Sequence, residues 1–467
     1  MDTNRMLTNW TLKQLQLPLD ALSLQGDAEG EIQAICTDTR SLKTGDLFVA
    51  LKGPNFNGDL FVEQARQAGA VAAIVTELQP IDLPQLVVKD TRIALGQLAG
   101  LHRQAFAGPV VAITGSSGKT SVKEMLARVL GQNAPVLATR GNLNNDLGAP
   151  LTLLSLQPEH RYAVVELGAS ARGEIAYTTA LTQPDIAILT NAAAAHLEGF
   201  GSLQGVVEAK SEIFTGLKPD GVAVVNLDDP HCGYWLDQLE GRKLRTFSLD
   251  SRLADLFASD LETGADGCCS FVLNTNAGQV EVHLQVLGLH MVANALAAAT
   301  AAEVLGVSLE QICQGLESYK GVSGRLASMP GYQGAQIIDD SYNANPESVR
   351  AAIRVLASMP GKRVLVLGNM AELGPDAATL HAELGRFAAQ MRLDGVYAVG
   401  ALAAYTGQVF AQLQQQEARI FDDKQTLLAA LAPTLDADTS VLIKGSRSAA
   451  MEQVVSGLTQ RVNDRCC

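Results

Sequence analysis

Lys119 and Thr120 follow Gly115-Ser116-Ser117-Gly118 in the stretch VVAITGSSGKTS, residues 110–121. Two glycines at this spacing let the backbone turn tightly with its N–H groups facing inward. Those donors, with the positive end of a following helix, suit a polyphosphate. Lys119 would then reach the outer phosphates and the Thr120 hydroxyl would ligate Mg²⁺. The longer nucleotide loop G-x-x-x-x-G-K-[ST] has a glycine where this chain has Ile113, so the match is to the shorter G-x-x-G-K-T. An ordinary Gly/Ser turn is the plain alternative. Against it, Val110 to Thr114 reads as a buried parallel strand and Ser121 to Leu130 carries apolar residues at helical spacing, which is where a phosphate loop needs them. A triphosphate site alone does not choose between kinase, motor, switch and ligase.

Other polar groups fall where such a site would use them. Glu166 closes an apolar strand in AVVELGAS and His196 follows another in LTNAAAAHLEGF. Each is either a satisfied structural residue or a metal ligand beside the nucleotide. Lys210, in VVEAKSEIF, reads by spacing as a solvated lysine on a helix. Asn142, Asn144 and Asn145, just after Arg140-Gly141, are turn formers or contact residues. Thr37-Asp38-Thr39-Arg40 suits a diphosphate or a sugar hydroxyl, and equally a polar turn. His290 and Asn294, four apart in LGLHMVANALAAATAA, share one helix face.

The elements that must position these groups alternate between strand and helix. In a chain of 467 residues, 47% of them hydrophobic, they imply more than one core. Residues 1–88 form a small α/β domain, with a first amphipathic segment (Leu12, Leu15, Leu17, Leu19), strands at Leu47 to Leu51 and Val71 to Val75, and a helix from Leu60 to Ala68 between them. Residues 89–320 form a central domain whose strands include Tyr162 to Leu167, Asp185 to Thr190 and Val222 to Leu227. This alternation implies a mostly parallel sheet with ligands at the carboxyl ends of its strands. A Gly-rich hinge, Gly321 to Arg325, opens a second such unit over 321–467, with strands at Ala335 to Asp339, Arg363 to Leu367, Val396 to Val399 and Ser440 to Ile443. Its strand ends are polar: Asp339-Asp340-Ser341-Tyr342-Asn343, Gly368-Asn369-Met370-Ala371-Glu372 and Lys444-Gly445-Ser446-Arg447-Ser448. Two sheets presenting such ends toward one cleft imply a nucleotide held between domains.

A formal charge of −14, from 49 acidic against 35 basic residues, argues against nucleic-acid or anionic-membrane partners. With neither a signal-type apolar segment nor roughly 18 uninterrupted apolar residues, a cytoplasmic protein is expected. The seven cysteines, including adjacent pairs at 268–269 and 466–467, lack C-x-x-C spacing and fit reduced thiols.

Assembled, these motifs resemble the Mur ligase family, which includes folylpolyglutamate synthases. The resemblance runs across essentially the whole chain: TGSSGKTS (114–121), AVVELGA (163–169), AAAHLEGFGS (193–202), AKSEIF (209–214), GLHMVANALAA (288–298), GRL (324–326), DDSYNANPES (339–348) and KGSRSAAME (444–452). GNLNNDLGAP (141–150) and MAELG (370–374) are most like the members that join D-alanyl-D-alanine to a UDP-N-acetylmuramoyl tripeptide. The resemblance implies a three-domain α/β fold: a UDP-binding N-terminal domain, a central P-loop ATPase-like parallel-sheet domain and a C-terminal Rossmann-like domain. It also implies a monomeric ligase that uses ATP and Mg²⁺ to make a peptidoglycan precursor through an acyl phosphate. By this resemblance Gly115, Ser116, Ser117, Gly118, Lys119, Thr120 and Ser121 hold the ATP phosphates. Thr120 and Glu166 serve one Mg²⁺, and His196 and Lys210 a second, Lys210 as a carbamate that replaces its solvated reading. Asn294, Arg325, Asp340, Tyr342 and Asn343 contact the nucleotide, with Arg325 set to stabilise γ-phosphate charge. Thr39 and Arg40 match the uridine-diphosphate pattern, and Asn142, Asn144, Asn145, Ser446 and Arg447 are assigned to substrate.

The chain departs from the family pattern in three places. Ser170-Ala171-Arg172 stands where an Asn and a His are usual, Met291 replaces the first Asn of G-x-H-N-x-x-N, and Asn369 replaces the Asp of G-D-M-A-E-L-G. A sister ligase adding one amino acid, or a glutamate to folate, is the alternative enzyme, although a folate enzyme would lack the UDP domain. A P-loop ATPase switch is the reading from another class, and it leaves the polar strand ends of 321–467 unexplained.

Overall fold

The computed structural model describes residues 10–53, 56–264 and 266–463. The first nine residues and the Cys466-Cys467 pair lie outside them. The five described cysteines are free thiols.

Three large sheets organise the chain, beside a two-stranded pair, Lys52–Gly53 with Phe56–Asn57. The first has five strands in the order Ser23–Gln25, Gln85–Val87, Ala72–Val75, Asp46–Val49, Ala34–Cys36, parallel except at the outer pair Ser23–Gln25 and Gln85–Val87. The expected strands near Leu47 and Val71 are present. The expected helix is a 3-10 turn, Gly58–Phe61, leading into Val62–Gln67. The first amphipathic segment reduces to one turn, Leu12–Leu15, because Leu17 is exposed while Leu19 joins the core.

The central sheet has nine strands. Its parallel part runs Val136–Ala138, Tyr162–Glu166, Val110–Thr114, Ile186–Leu189, Val222–Asn226, Lys243–Ser248, Leu256–Thr263. From Val110–Thr114 the chain goes first to one side of the sheet and then to the other, so this strand lies at the point where strand order reverses, the usual place for a ligand crevice. An antiparallel extension, Cys268–Thr275 and Gly278–Leu287, completes the sheet and has no counterpart in the sequence expectation.

The third sheet runs Ala327–Pro330, Gln336–Asp340, Thr439–Lys444, Lys362–Gly368, Gly395–Val399, Arg419–Phe421, parallel after the first hairpin.

Period-two alternation divides the cores. Val110 and Ala112 face a core shared with the first sheet, while Val111 and Ile113 face the helices Lys119–Leu130 and Leu289–Val304. In the third sheet Leu365 and Leu367 face one side, and Val364 and Val366 the other. Full burial of both faces explains why these strands read as continuous apolar runs. Among the described residues no helix is long and apolar enough to cross a membrane.

His381 shows how the third unit fixes its strand-end loop. Wholly buried, its Nε2 accepts from Met370 N at 3.0 Å and its Nδ1 faces Ala377 O at 2.7 Å, a pair of bonds that only the neutral ring can make. Burial holds its pKa below the ordinary 6.5. A histidine whose folded pKa is depressed stabilises the fold above its unfolded pKa, and that contribution is lost as pH falls below it. Urea unfolding should therefore show the wild-type chain losing more stability between pH 7.5 and pH 5.5 than H381Q does. Equal losses would contradict this.

Candidate active site

The site begins with the loop after Val110–Thr114. Gly115 takes φ +152°, and a Cβ there would meet Thr190 Oγ1 at 2.0 Å. Gly118 takes φ +84°, and a Cβ there would meet Asn294 Oδ1 at 2.3 Å. Both positions need glycine for conformation and for close approach. Asn191 shapes the loop from the neighbouring strand end. Its carbonyl accepts from Ser116 N at 3.0 Å, its Oδ1 accepts from Ser117 N at 3.0 Å, and its Nδ2 donates to Ser117 O at 3.2 Å. Ser116 Oγ donates to Ala193 O at 3.0 Å. Among the described residues no protein acceptor takes the amides of Gly118, Lys119, Thr120 or Ser121. They open the helix Lys119–Leu130, an arrangement made for an anion. Lys119 Nζ donates to Gly115 O at 2.6 Å, curled over the loop, and desolvation lowers its pKa.

Thr120 Oγ1 is the meeting point. It donates to Glu166 Oε2 at 3.1 Å and accepts from Arg325 Nη2 at 3.1 Å, so the central strand end and the chain leading into the third sheet touch one hydroxyl. Arg325 also stacks over Tyr342, 4.1 Å from its ring centre. Glu166 is buried, and Asn144 Nδ2 donates to its Oε1 at 2.8 Å. Asn144 therefore faces Glu166. Asn145 Oδ1 accepts from Gly148 N at 2.8 Å, at the start of Gly148–Leu153, and Asn142 is exposed. Arg92 pairs with Asp146 and fixes this loop.

The third sheet contributes more. Asn345 Nδ2 reaches Ser117 Oγ at 3.5 Å. Lys444, which opens KGSRSAAME and was given no role there, is buried, pairs with Asp340 and donates to Asn343 O at 2.9 Å. Burial raises the Asp340 pKa against the pull of Lys444. Asn294 Nδ2 faces Met291 Sδ at 3.4 Å, and His290 on the same helix face is pushed down to about 4 by desolvation, with Lys444 adding to the shift. Ser446 Oγ donates to Asn369 O at 2.7 Å, and Arg447 turns outward to Glu452 at 3.5 Å. Thr39 and Arg40 lie in the first unit. The Arg40 guanidinium grips Asp38 with Nη2–Oδ2 at 2.6 Å, which holds the Asp38 carboxyl down to about 2.

His196 and Lys210 stand apart from Thr120 and Glu166 in their contacts. His196 Nδ1 pairs with Glu372 from the third unit. Lys210 is buried, its ammonium 5.2 Å from the Phe200 ring centre, and burial lowers its pKa to about 7, with repulsion from Lys119 adding to the shift. Among the described residues no three His, Cys, Asp or Glu side chains converge. Mg²⁺ does not require such a group, because it is held by one or two carboxylates with substrate phosphates and water. The hard-oxygen pair of Thr120 and Glu166 beside unpaired amides fits that description. A buried amine near neutrality likewise fits carbamate formation at Lys210, which needs the uncharged amine.

Two of the departures have local reasons. Asn369 Oδ1 accepts from Leu402 N and Ala403 N at 3.0 and 2.9 Å at the start of Ala403–Gln414, a role an Asp oxygen would also fill. Arg172 pairs with Glu208 at 2.8 Å, in the helix that carries Lys210.

Known proteins similar to this chain cover nearly its whole length. Three family models match in sequence: the Mur ligase family, catalytic domain at residues 31–103, the Mur ligase middle domain at 113–302, and the Mur ligase, glutamate ligase domain at 324–447. The UDP-N-acetylmuramoyl-tripeptide–D-alanyl-D-alanine ligase of Escherichia coli (strain K12) is 46% identical over 458 residues, covering 96% of this chain and 98% of that one. Among solved structures, MurF from Acinetobacter baumannii superposes with a TM-score of 0.91 at 40% identity, covering 97% of this chain and 99% of that one. MurF ligase from Thermotoga maritima in complex with ADP superposes with a TM-score of 0.83 at 30% identity, covering 92% and 98%. With near-complete relatives and three successive family models in the order of its three sheets, the chain belongs to the Mur ligase family.

Proposed function

We propose that this protein joins D-alanyl-D-alanine to a UDP-N-acetylmuramoyl tripeptide, cleaving ATP to ADP and phosphate and supplying a peptidoglycan precursor in the cytoplasm. A carboxylate resists attack by an amine. When a carboxylate oxygen of the tripeptide takes the γ-phosphoryl group, the acyl phosphate formed has phosphate as its leaving group. The dipeptide amine attacks that carbonyl, phosphate departs, and the amine nitrogen releases a proton. The observation that carries this reading is the Thr120 hydroxyl, bonded to Glu166 on one side and to Arg325 on the other at the mouth of a loop with unpaired amides.

In this reading residues 1–88 hold the uridine diphosphate with Thr39 and Arg40, residues 89–320 hold ATP, and residues 321–467 close over it. The amides and side chains of Gly115 to Ser121 hold the phosphates, with Lys119 over the outer ones. Arg325, stacked on Tyr342, faces the charge that develops on the transferring group. Asn294, Asp340 and Asn343 border the nucleotide, Asn142 and Asn145 the muramoyl peptide, and Ser446 and Arg447 the incoming dipeptide. Thr120 with Glu166, and His196 with a carbamylated Lys210, would hold Mg²⁺, which neutralises phosphoryl oxygens when bound. A carbamate on Lys210 replaces a cation that would repel the metal with an anion that ligates it.

Incubation with ATP, Mg²⁺, D-alanyl-D-alanine and UDP-muramoyl tripeptides, read by mass spectrometry, should yield the corresponding pentapeptide. ATP consumption that ignores both acceptors and joins nothing would refute the reading and favour a switch ATPase. In G118A a left-handed alanine pressed against Asn294 costs on the order of 1–3 kcal/mol, so ADP affinity measured calorimetrically should fall by roughly fivefold or more. Wild-type affinity in G118A would place the nucleotide elsewhere.

A further inference from the structure

Lys123 carries a charge that nothing above uses. It is 1% exposed, one helical turn beyond Lys119, on a helix whose neighbouring inward positions are Val122, Met125 and Leu126. Burying an ammonium is costly unless close partners compensate it, and a methionine would fill the same place without that cost. The partners of Lys123 define its use. Nζ donates to Thr139 O at 2.7 Å and lies 3.0 Å from Glu124 Oε1 and 3.9 Å from Glu166 Oε2. Thr139 in turn accepts from Glu166 N through its Oγ1 at 2.9 Å. Lys123 thus straps the phosphate-loop helix across the ends of the two strands Val136–Ala138 and Tyr162–Glu166, while Asn144 grips the other carboxylate oxygen of Glu166.

We infer that Lys123 and Asn144 are positioning residues that clamp the Glu166 carboxylate from two sides and aim its Oε2 at Thr120 Oγ1, where the nucleotide's Mg²⁺ is received. The inference rests on the proposed role of Thr120 and Glu166 and adds two residues that touch neither phosphate nor metal. Asn144 holds the carboxylate by a hydrogen bond and Lys123 by an ion-pair contact; fixing a ligating carboxylate through its outer partners is a general device of metal sites, and its loss weakens metal affinity. Lys123 limits the electrostatic lure of Glu166 for a free cation, because its ammonium faces the same oxygen. The metal is therefore best accommodated when phosphate charge arrives with it.

The test measures ADP binding by calorimetry across a Mg²⁺ titration, and again in EDTA, for wild type, K123M, K123R and N144A. Clamping predicts that K123M and N144A raise the Mg²⁺ concentration for half-maximal enhancement of ADP binding by about tenfold or more. Affinity in EDTA should stay unchanged, and K123R should recover part of the loss. N144A alters a half-buried loop side chain, so it reports even where K123M fails to fold. An unchanged Mg²⁺ half-point in N144A, or equal losses of ADP affinity with and without Mg²⁺, would overturn the clamp and leave Lys123 a structural strap. Wild-type ADP binding indifferent to Mg²⁺ would instead overturn the metal reading, and this inference with it.

Discussion

One hydroxyl ties the molecule together. A threonine oxygen has one proton to give and two lone pairs to offer, and Thr120 gives its proton to Glu166 while accepting from Arg325. The first bond fixes the phosphate loop to the end of the adjacent parallel strand. The second reaches over from the chain that enters the third sheet. The proposed site is therefore complete only when the central and third units meet, which is why the cores can be separate while the site is shared.

The electrostatics of that meeting run opposite to those of the chain. An overall charge of −14 coexists with Lys119, Lys123, Lys210 and Arg325 gathered around the loop. Their mutual repulsion is visible in Lys210, whose pKa drops to about 7 through burial and the nearby Lys119. Such a site favours a polyanion over any other ligand, and it lets phosphate charge neutralise what folding has concentrated. Buried carboxylates sit among the cations: Glu166 near Lys123, and Asp340 against Lys444.

Much of this was legible in the sequence where local chemistry and periodicity coincide. The strand Val110–Thr114, the helix Lys119–Leu130, and the acid at the end of Tyr162–Glu166 each follow from apolar runs bounded by glycine or polar residues. The antiparallel strands from Leu256–Thr263 to Gly278–Leu287 were passed over although Val280, Val282, Leu284 and Val286 alternate with Glu281, His283 and Gln285, a period-two signal that stood apart from any motif. Side-chain partnerships were the least legible. Asn144 read as a loop residue for substrate and turned out to face Glu166; Lys123 had as its only signal a lysine among inward-facing residues one turn past Lys119. Asn191 gave no signal, and Glu372, although it lies in a polar strand end and in MAELG, gave none of its partner, since Ser117 and His196 are brought to them only by sheet order and by docking of the third unit.

The central proposed step is activation of a carboxylate by phosphoryl transfer at the glycine loop. Oxygen-18 placed in the terminal carboxylate of the UDP-muramoyl tripeptide tests this directly, with the released phosphate analysed by mass spectrometry as the amide forms. Transfer through an acyl phosphate predicts that the phosphate carries one labelled oxygen from the peptide. Amide product accompanied by unlabelled phosphate would contradict it.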